Sequence, residues 1–338
     1  MDLRYWKHKK LYRTLSIIGA FVLILIVWEI YLPLKPLLND SIVFTAQKGM
    51  GDEEIAKALE DAGIIKNSYF MRGYVFLTMQ DYRLQAGKYS LSPSMSVAQI
   101  VRKFVTGDVI RQNITILEGW DKFQISKYLE AKGVCEEKDF LNLINFDYSK
   151  SYSFLQDKPK DISLEGYLFP DTYRVSLGED KEDFLKKMLD NFDKKLTAEL
   201  RAEIKNQNKS IFEIITMASI LEKEVALLND KKIVSGILWK RIDVDMPLQV
   251  DSTVNYITGK SDAGVAIKDT KIDSPYNTYK YTGLPIGPIS NPGLDSILAA
   301  IYPKDSPYWY YLSADGTGKT IFSKTIGEHN AARAKYLR

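Results

Sequence analysis

The residue in this chain best suited to acid–base chemistry is Glu222, which lies in an apolar segment spanning residues 211 to 226. On a helix, Ala218, Leu221 and Val225 share one face of this segment, and Glu222 falls on the same face. An unpaired carboxylate on a packed face is costly, and such a group tends to hold its proton instead. The position therefore predicts that Glu222 acts as a general acid.

Other charged residues define the alternatives for this carboxyl group. A purely structural Glu222 would form a buried salt bridge, with Lys240 or Arg241 on the following helix as the expected partner. Glu224 is two residues away, and such positions do not face each other on a helix, so we expect it to bond a neighbouring loop. Asp251 is the candidate for a second carboxylate. If it lay within about 5 to 9.5 Å of Glu222, the two carboxyl groups could share the roles of acid and base.

Composition argues against several other kinds of site. The chain has one cysteine, Cys135, and two histidines, His8 and His329, so neither a metal cluster nor a Ser/His/Asp triad is expected. Glycine-rich phosphate loops are missing, and we expect no cofactor and no metal. The net charge of +3, from 46 basic and 43 acidic residues, gives no electrostatic reason to expect nucleic-acid binding.

Several elements must position the focal segment. Ser210 followed by Glu213 predicts a capping box that starts the helix. A long charged helical stretch is expected from residue 180 to 208 and a partner helix from 230 to 242. Polar loops stiffened by proline follow, and a hairpin with strands near 309–312 and 320–322 precedes a last helix.

The N-terminal region predicts a membrane anchor. A basic tail at residues 1–14 precedes an apolar run at 15–34, which is about long enough to cross a bilayer. The basic residues place the N-terminus in the cytoplasm and the remainder outside the cell membrane. A cleaved signal peptide is the alternative, although no small-residue cleavage pattern follows the run. Residues 35–40 then form a short tether.

Residues 41–117 predict a small separate unit. A strand, two amphipathic helices and a second strand give the outline of a LysM-like α/β subdomain, which would either grip substrate or serve as a spacer. We expect residues 118–338 to form a catalytic domain, because they contain the candidate acid Glu222. The fold class is therefore α+β, with a single N-terminal transmembrane helix, a small LysM-like α/β subdomain and a mixed helical/β catalytic domain.

Five segments carry a resemblance to a known family. They are Glu165 to Tyr173 (EGYLFPDTY), Ala218 to Glu224 (ASILEKE), Leu248 to Val254 (LQVDSTV), Ser274 to Tyr279 (SPYNTY) and Gly283 to Ile289 (GLPIGPI). In this order they resemble the endolytic murein transglycosylases, the YceG-like family. Ile286 departs from the family pattern, in which a second proline is usual at that position.

The resemblance implies an extracytoplasmic enzyme that cuts nascent peptidoglycan strands internally and leaves 1,6-anhydro-N-acetylmuramoyl ends, which would terminate strand elongation. It implies that Glu222 is the catalytic glutamate. The expected partners are peptidoglycan glycan strands, the membrane, and the peptidoglycan synthases (penicillin-binding proteins) of the elongation or division machinery.

Residues of the polar loops are expected to contact the sugars, because prolines there reduce the entropy lost on binding. The predicted substrate-binding residues are Gln249, Asp251, Tyr276, Asn277, Tyr279, Glu165 and Asn291. A purely architectural role in the loops is the alternative for these positions.

The chemistry of a lytic transglycosylase needs one carboxyl group, which first gives a proton and then takes one back. The sequence offers one well-placed candidate, Glu222. Two alternatives remain open: a muramidase that uses Glu222 and Asp251 together, and a membrane-anchored glycan-binding scaffold without catalysis.

Overall fold

A computed structural model describes residues 3–38, 40–260, 265–314 and 319–337. Within these ranges the protein has thirteen α-helices and three two-stranded sheets, which confirms the predicted α+β class. The chain divides into two compact units. The first comprises residues 1–112 and 174–179, and the second comprises residues 113–173 and 180–338.

The chain begins with helix α1 (Leu3–Tyr31). Its portion from Tyr12 to Tyr31 is long and apolar enough to cross a membrane and is almost wholly unburied. This is compatible with the predicted single-pass anchor. The helix ends at Tyr31, shortly before Pro33, whose ring cannot continue a helix.

The rest of the first unit alternates short strands and helices. Its elements are β1 (Ile42–Ala46), α2 (Asp52–Asp61), α3 (Ser68–Leu77), β2 (Gly87–Leu91) and α4 (Val97–Thr106). Strands β1 and β2 are antiparallel, with Phe44 opposite Tyr89. Both rings pack on Phe104 of α4 inside one apolar core. The order strand, helix, helix, strand is the one the sequence predicts.

Two further strands pair with each other, β3 (Arg111–Thr115) and β4 (Thr172–Ser176). The division between the two units falls within both of them.

The second unit is mainly helical. Its helices are α5 (Lys122–Ala131), α6 (Glu137–Leu143), α7 (Lys181–Lys195), α8 (Ala198–Asn206), α9 (Ile211–Glu224), α10 (Leu228–Asp243), α11 (Asp251–Thr258), α12 (Leu294–Ile301) and α13 (Ile326–Tyr336). Strands β5 (Tyr310–Ser313) and β6 (Thr320–Ser323) form the predicted hairpin. The expected turn residues Asp315 to Gly318 lie outside the described residues.

Helix α9 is the centre of the second unit. The predicted capping box is confirmed, since Ser210 accepts from the Glu213 N–H and the Glu213 carboxylate accepts from the Ser210 N–H. Every residue from Ile214 to Leu221 is buried. The helix packs against α8, α10, α11 and α12, so its C-terminal end is held rigidly.

Two predictions about elements need correction. The charged stretch from 180 to 208 is helical but divided, because Leu196 leaves helical geometry and Thr197 caps a new helix, α8. The segment expected to be a polar loop after Met246 contains α11, which begins at Asp251.

Candidate active site

The Glu222 carboxyl group is enclosed, as its position on the packed face of α9 predicts. One oxygen, Oε1, lies 3.0 Å from the Nζ atom of Lys231 on α10, and the side chains are only 9% and 5% exposed. The other oxygen, Oε2, accepts from the N–H of Gly293 at 2.9 Å and from the hydroxyl of Ser296 at 2.7 Å. These two groups belong to the first turn of α12, where a negative charge is favourable. Glu222 thus joins three helices through its two oxygens.

The buried salt bridge considered as the structural alternative is present, but the predicted partners are wrong. Lys240 donates instead to the carbonyls of Ser306 and Tyr308. Arg241 is buried and donates to the carbonyls of Leu248 and Trp309. Both residues lie in the last turn of α10, whereas Lys231 is in its first turn and therefore faces the end of α9.

The Glu224 carboxyl group, at the last position of α9, has a different environment. It is partly exposed, and its Oε2 atom accepts from the hydroxyl of Tyr311 on β5 at 3.1 Å. Burial raises the pKa of Glu224, and the negative charge of Asp251 adds to the rise. The hydroxyls of Ser252 and Tyr311 partly oppose it. Within the part of the chain that the structure describes, no ion pair is formed by Glu224, and it keeps its proton to a higher pH than an ordinary glutamate.

Asp251 and Tyr279 lie beside Glu224. The Tyr279 hydroxyl donates to Asp251 Oδ1, which fixes the direction of that carboxylate at the start of α11. Burial, the bond to Asp251 and the charge of Glu224 all raise the pKa of Tyr279, so it stays a neutral donor. The structure therefore brings together Glu224, Asp251, Tyr279 and Tyr311.

Thr278 holds the two loop segments of this group against each other. Its carbonyl accepts from the N–H of Gln249 at 3.0 Å, and its hydroxyl accepts from the N–H of Val250 at 3.0 Å. Gln249 has an exposed side chain and a φ of +51°, a left-handed conformation that is strained for glutamine. Its exposed side chain is therefore held two residues before Asp251 at a cost in backbone energy.

Asn277 and Tyr276 precede Thr278 and make other contacts. Asn277 is fully buried and donates to the carbonyls of Thr270 and Ile272, while its own oxygen accepts from the Tyr279 N–H. These bonds give it an architectural role. The ring of Tyr276 is partly exposed and packs on the ring of Tyr256, with centroids 5.0 Å apart.

Glu165 and Asn291 form a second polar group, inside the protein. Asn291 Nδ2 donates to Glu165 Oε1 at 2.7 Å, and Glu165 Oε2 accepts from the N–H of Lys122 and the hydroxyl of Tyr256. Burial raises the pKa of Glu165 to about 7.

Asn291 also accepts from the backbone of the 166–168 loop and donates to the Trp120 carbonyl. Both side chains are buried, so in this structure they hold loops together.

Sequence reasoning missed two features of this region. The spacing of Glu222 and Glu224 predicts only a loop contact for Glu224, and no sequence signal brings the hairpin residue Tyr311 to the end of α9. The one signal for this group is Asp251, which the sequence offers as a candidate second carboxylate without placing it near the helix end. Among the described residues, no group of three or more His, Cys, Asp or Glu side chains is arranged to hold a metal ion.

Comparison with known proteins agrees with the resemblance seen in the sequence. The model of the YceG-like family matches residues 44–335. An endolytic murein transglycosylase of Bacillus subtilis (strain 168) is 32% identical over 323 residues, which cover 90% of this chain and 88% of that protein. One from Streptococcus pneumoniae serotype 2 is 30% identical over 321 residues; the match covers 86% of this chain and 57% of that longer protein.

A solved structure supports the same assignment. A crystal structure of a yceG-like protein from Listeria monocytogenes is 35% identical to this chain and superposes with a TM-score of 0.60. The match covers 86% of this chain and 99% of that one. The family match spans most of the chain and includes every residue of the group around Glu224. This protein belongs to the YceG-like family.

Proposed function

We propose that this protein is an endolytic peptidoglycan lytic transglycosylase. It cleaves the bond between N-acetylmuramic acid and N-acetylglucosamine within nascent strands and leaves 1,6-anhydro-N-acetylmuramoyl ends, which terminates strand elongation. Its family and the names of its relatives support this activity. The observation that carries the mechanism is a partly exposed glutamate with a raised pKa, Glu224, at the end of a rigid buried helix.

The proposed reaction uses Glu224 twice. As an acid it protonates the bridging oxygen, the bond from that oxygen to the anomeric carbon of the muramoyl unit breaks, and the glucosamine unit leaves with a hydroxyl group. The resulting carboxylate then takes the proton of the muramoyl C6 hydroxyl while that oxygen bonds to the anomeric carbon. Glu224 regains its proton and no water is consumed. Asp251, held by Tyr279, supplies negative charge beside the cationic transition state.

Glu222, the acid that the sequence predicts, is the alternative in this proposal. Its oxygens are already occupied by the Lys231 ammonium, the Gly293 N–H and the Ser296 hydroxyl. Its side chain is only 9% exposed, so the carboxyl group is poorly placed to reach the bridging oxygen of a strand. The contacts therefore favour Glu224 as the acid and Glu222 as a support for the end of α9.

The remaining predicted site residues divide by exposure. We propose that Gln249, Asp251, Tyr276 and Tyr279 meet the sugars, because each is exposed or partly exposed. Glu165, Asn277 and Asn291 are buried and serve binding by fixing the loops that carry those residues.

The proposed arrangement in the cell follows from the anchor. Residues 1–14 lie in the cytoplasm, 15–34 cross the cell membrane, and a tether at 35–40 leads to a LysM-like unit at 41–117 and a catalytic domain at 118–338. The N-terminal basic residues support this orientation. The substrate strand is then met beside the peptidoglycan synthases that extrude it.

Digestion of uncrosslinked glycan strands, followed by mass measurement of the new ends, tests this function. Anhydro-muramoyl ends produced inside the strands support it. Reducing ends would instead show a hydrolase that uses Asp251 to activate water, as in the muramidase alternative. Binding without any cleavage would support the anchored scaffold. Either of the last two results contradicts the proposal.

A further inference from the structure

Helix α3 and the residues after it expose an unusual amount of apolar surface. Five large side chains of this segment are largely exposed, and we call them the α3 apolar surface: Tyr69 (75%), Phe76 (74%), Leu77 (74%), Met79 (85%) and Tyr82 (99%). Single exposed apolar residues are ordinary, but a cluster of large ones within fourteen residues marks an interaction surface.

The helical geometry of α3 separates this surface from the parts already in contact. Met71 and Val75 are fully buried in the core of the first unit. Tyr74 packs edge to face on Tyr31 at the end of α1, with ring centroids 6.4 Å apart. Tyr69 and Phe76 lie two turns apart on the remaining face, which therefore has no partner in the described protein.

Met79 adds an independent observation. It follows the last residues of α3 with a φ of +55°, in the left-handed region where glycine is the usual residue at a helix end. A methionine there costs backbone energy and holds a flexible apolar side chain outward. Its side chain is 85% exposed, so it extends the same apolar surface beyond the end of the helix.

The end of α1 shows where α3 lies relative to a membrane. Lys66, just before α3, places its ammonium 5.9 Å from the Trp28 ring centre and 3.8 Å from the Glu29 carboxylate. Tryptophan, tyrosine and snorkelling charges at the end of an apolar span mark the membrane interface. Because Tyr31 and Lys66 tie α3 to this level, α3 lies beside the bilayer surface that the anchor leaves.

We propose that the α3 apolar surface inserts into the outer interface of the same bilayer that α1 crosses. Tyrosines with apolar neighbours are suited to this region, where the ring is buried and the hydroxyl stays wet. The exposed cation of Arg83 lies next to Tyr82 and suits the anionic lipid headgroups. This second attachment limits the tilt of the first unit on its short tether. The inference rests on the proposed anchoring of α1.

A fluorophore that reports on lipid contact tests the insertion. The full chain, with Cys135→Ser to remove the native thiol, receives a single cysteine through Leu77→Cys and is labelled with an environment-sensitive dye in liposomes containing anionic lipid. Lipids with a quencher at the headgroup and lipids with a quencher in the middle of the acyl chain are each compared with plain lipids. We expect the label at position 77 to lose most of its emission to the headgroup quencher, whereas a label inside the span responds to the acyl-chain quencher.

Two matched labels make the outcome decisive. A label introduced through Leu23→Cys reports the anchor, and one introduced through Lys48→Cys reports an exposed turn of the same unit. If lipid quenches the label at position 23 but not the label at position 77, the proposed insertion is wrong and the membrane anchor is unaffected. Equal quenching at 48 and 77 also overturns it, because it would show general proximity to lipid. An apolar emission at 77 that appears only at high protein-to-lipid ratios would indicate a second copy of the chain instead.

A variant provides the final check. Phe76→Ser together with Tyr82→Ser should reduce quenching at position 77 several-fold and leave quenching at position 23 unchanged. If quenching at 77 persists in this variant, the apolar side chains are not the cause of lipid contact and the proposal fails.

Discussion

Glu222 and Glu224 are two residues apart, yet the surrounding protein treats their carboxyl groups in opposite ways. Glu222 meets a buried ammonium and two donors from α12. Glu224 meets two hydroxyls and a second carboxylate, Asp251. Helical positions i and i+2 face different neighbours, so the two carboxyl groups have different partners. Our proposal therefore gives Glu222 a supporting role and gives Glu224 the chemistry.

The pH dependence of cleavage should follow Glu224. Because its pKa is raised, the acid form persists above the ordinary range and activity falls as pH rises through that pKa. Asp251→Asn removes a charge that contributes to the rise, so the alkaline limb of the pH–rate profile should move to lower pH. Tyr279→Phe serves as the control that keeps Asp251 charged. An alkaline limb that does not move in Asp251→Asn would show that a different group is titrating.

The Glu222–Lys231 pair should act on stability. Glu222→Gln leaves a buried ammonium without its counter-charge and should lower the free energy of unfolding by about 3 kcal/mol. In a Lys231→Met background the same substitution should cost much less, since the amide oxygen still accepts from Gly293 and Ser296. Urea unfolding of the wild type, the two single variants and the double variant, followed by tryptophan fluorescence, measures this coupling. If the losses in free energy of unfolding caused by Glu222→Gln and Lys231→Met simply add in the double variant, the two side chains are not coupled.

Glu165 should make the protein less stable as pH rises. Its folded pKa of about 7 lies above the ordinary value of 4.5, so the folded state binds the proton more tightly. The tighter binding of this proton adds at most about 3 kcal/mol to the free energy of unfolding. The added stability is fully present below the ordinary pKa of 4.5 and is lost as pH rises through about 7. Glu165→Gln should remove this pH dependence and also cost stability, because its NH2 group would face a donor, either the amide of Asn291 or the N–H of Lys122. A wild-type free energy of unfolding that is constant between pH 5 and 7 would contradict it.

At the scale of elements, much could be predicted from local signals. The capping box at Ser210, the apolar face of α9 and the paired strands β5 and β6 follow from residue types and spacing. Helices α11 and α12 were not expected, because they are eight residues each and lie among prolines and glycines that indicate loops. Their formation depends on tertiary contacts, such as the bonds from Thr278 and Glu222.

Gly236 shows how helix packing can reverse an ordinary propensity. Alanine normally stabilises a helix interior relative to glycine by about 1 kcal/mol. A Cβ atom at Gly236 in α10 would lie 2.2 Å from the backbone oxygen of Lys304, so Gly236→Ala should instead lower the free energy of unfolding by about 2 kcal/mol. Gly327→Ala in α13 is the matched control, because only Thr325 is near and at 3.9 Å. Thermal unfolding compares the two variants. A melting temperature of Gly236→Ala equal to or above that of Gly327→Ala would contradict this packing.

For the whole molecule, the sequence predicts the α+β class and an N-terminal helix fit to cross a membrane, because composition and periodicity report these directly. The arrangement of the site could not be predicted from the sequence in the same way. Glu224, Asp251 and Tyr311 come from a helix end, a new helix and a hairpin that are far apart in sequence, and no local pattern indicates that they meet. Their meeting depends on how the helices around α9 pack.

The measurement that tests the account most directly is the count of anhydro-muramoyl ends released from uncrosslinked strands by the wild-type chain, Glu224→Gln and Glu222→Gln. All three are assayed at a temperature where circular dichroism shows each one folded. We expect Glu224→Gln to lose cleavage by 100-fold or more, in line with about 10²–10⁴ for a general acid, and the folded fraction of Glu222→Gln to retain most of it. Loss of cleavage in folded Glu222→Gln with activity kept in Glu224→Gln would contradict the account and return the acid to Glu222.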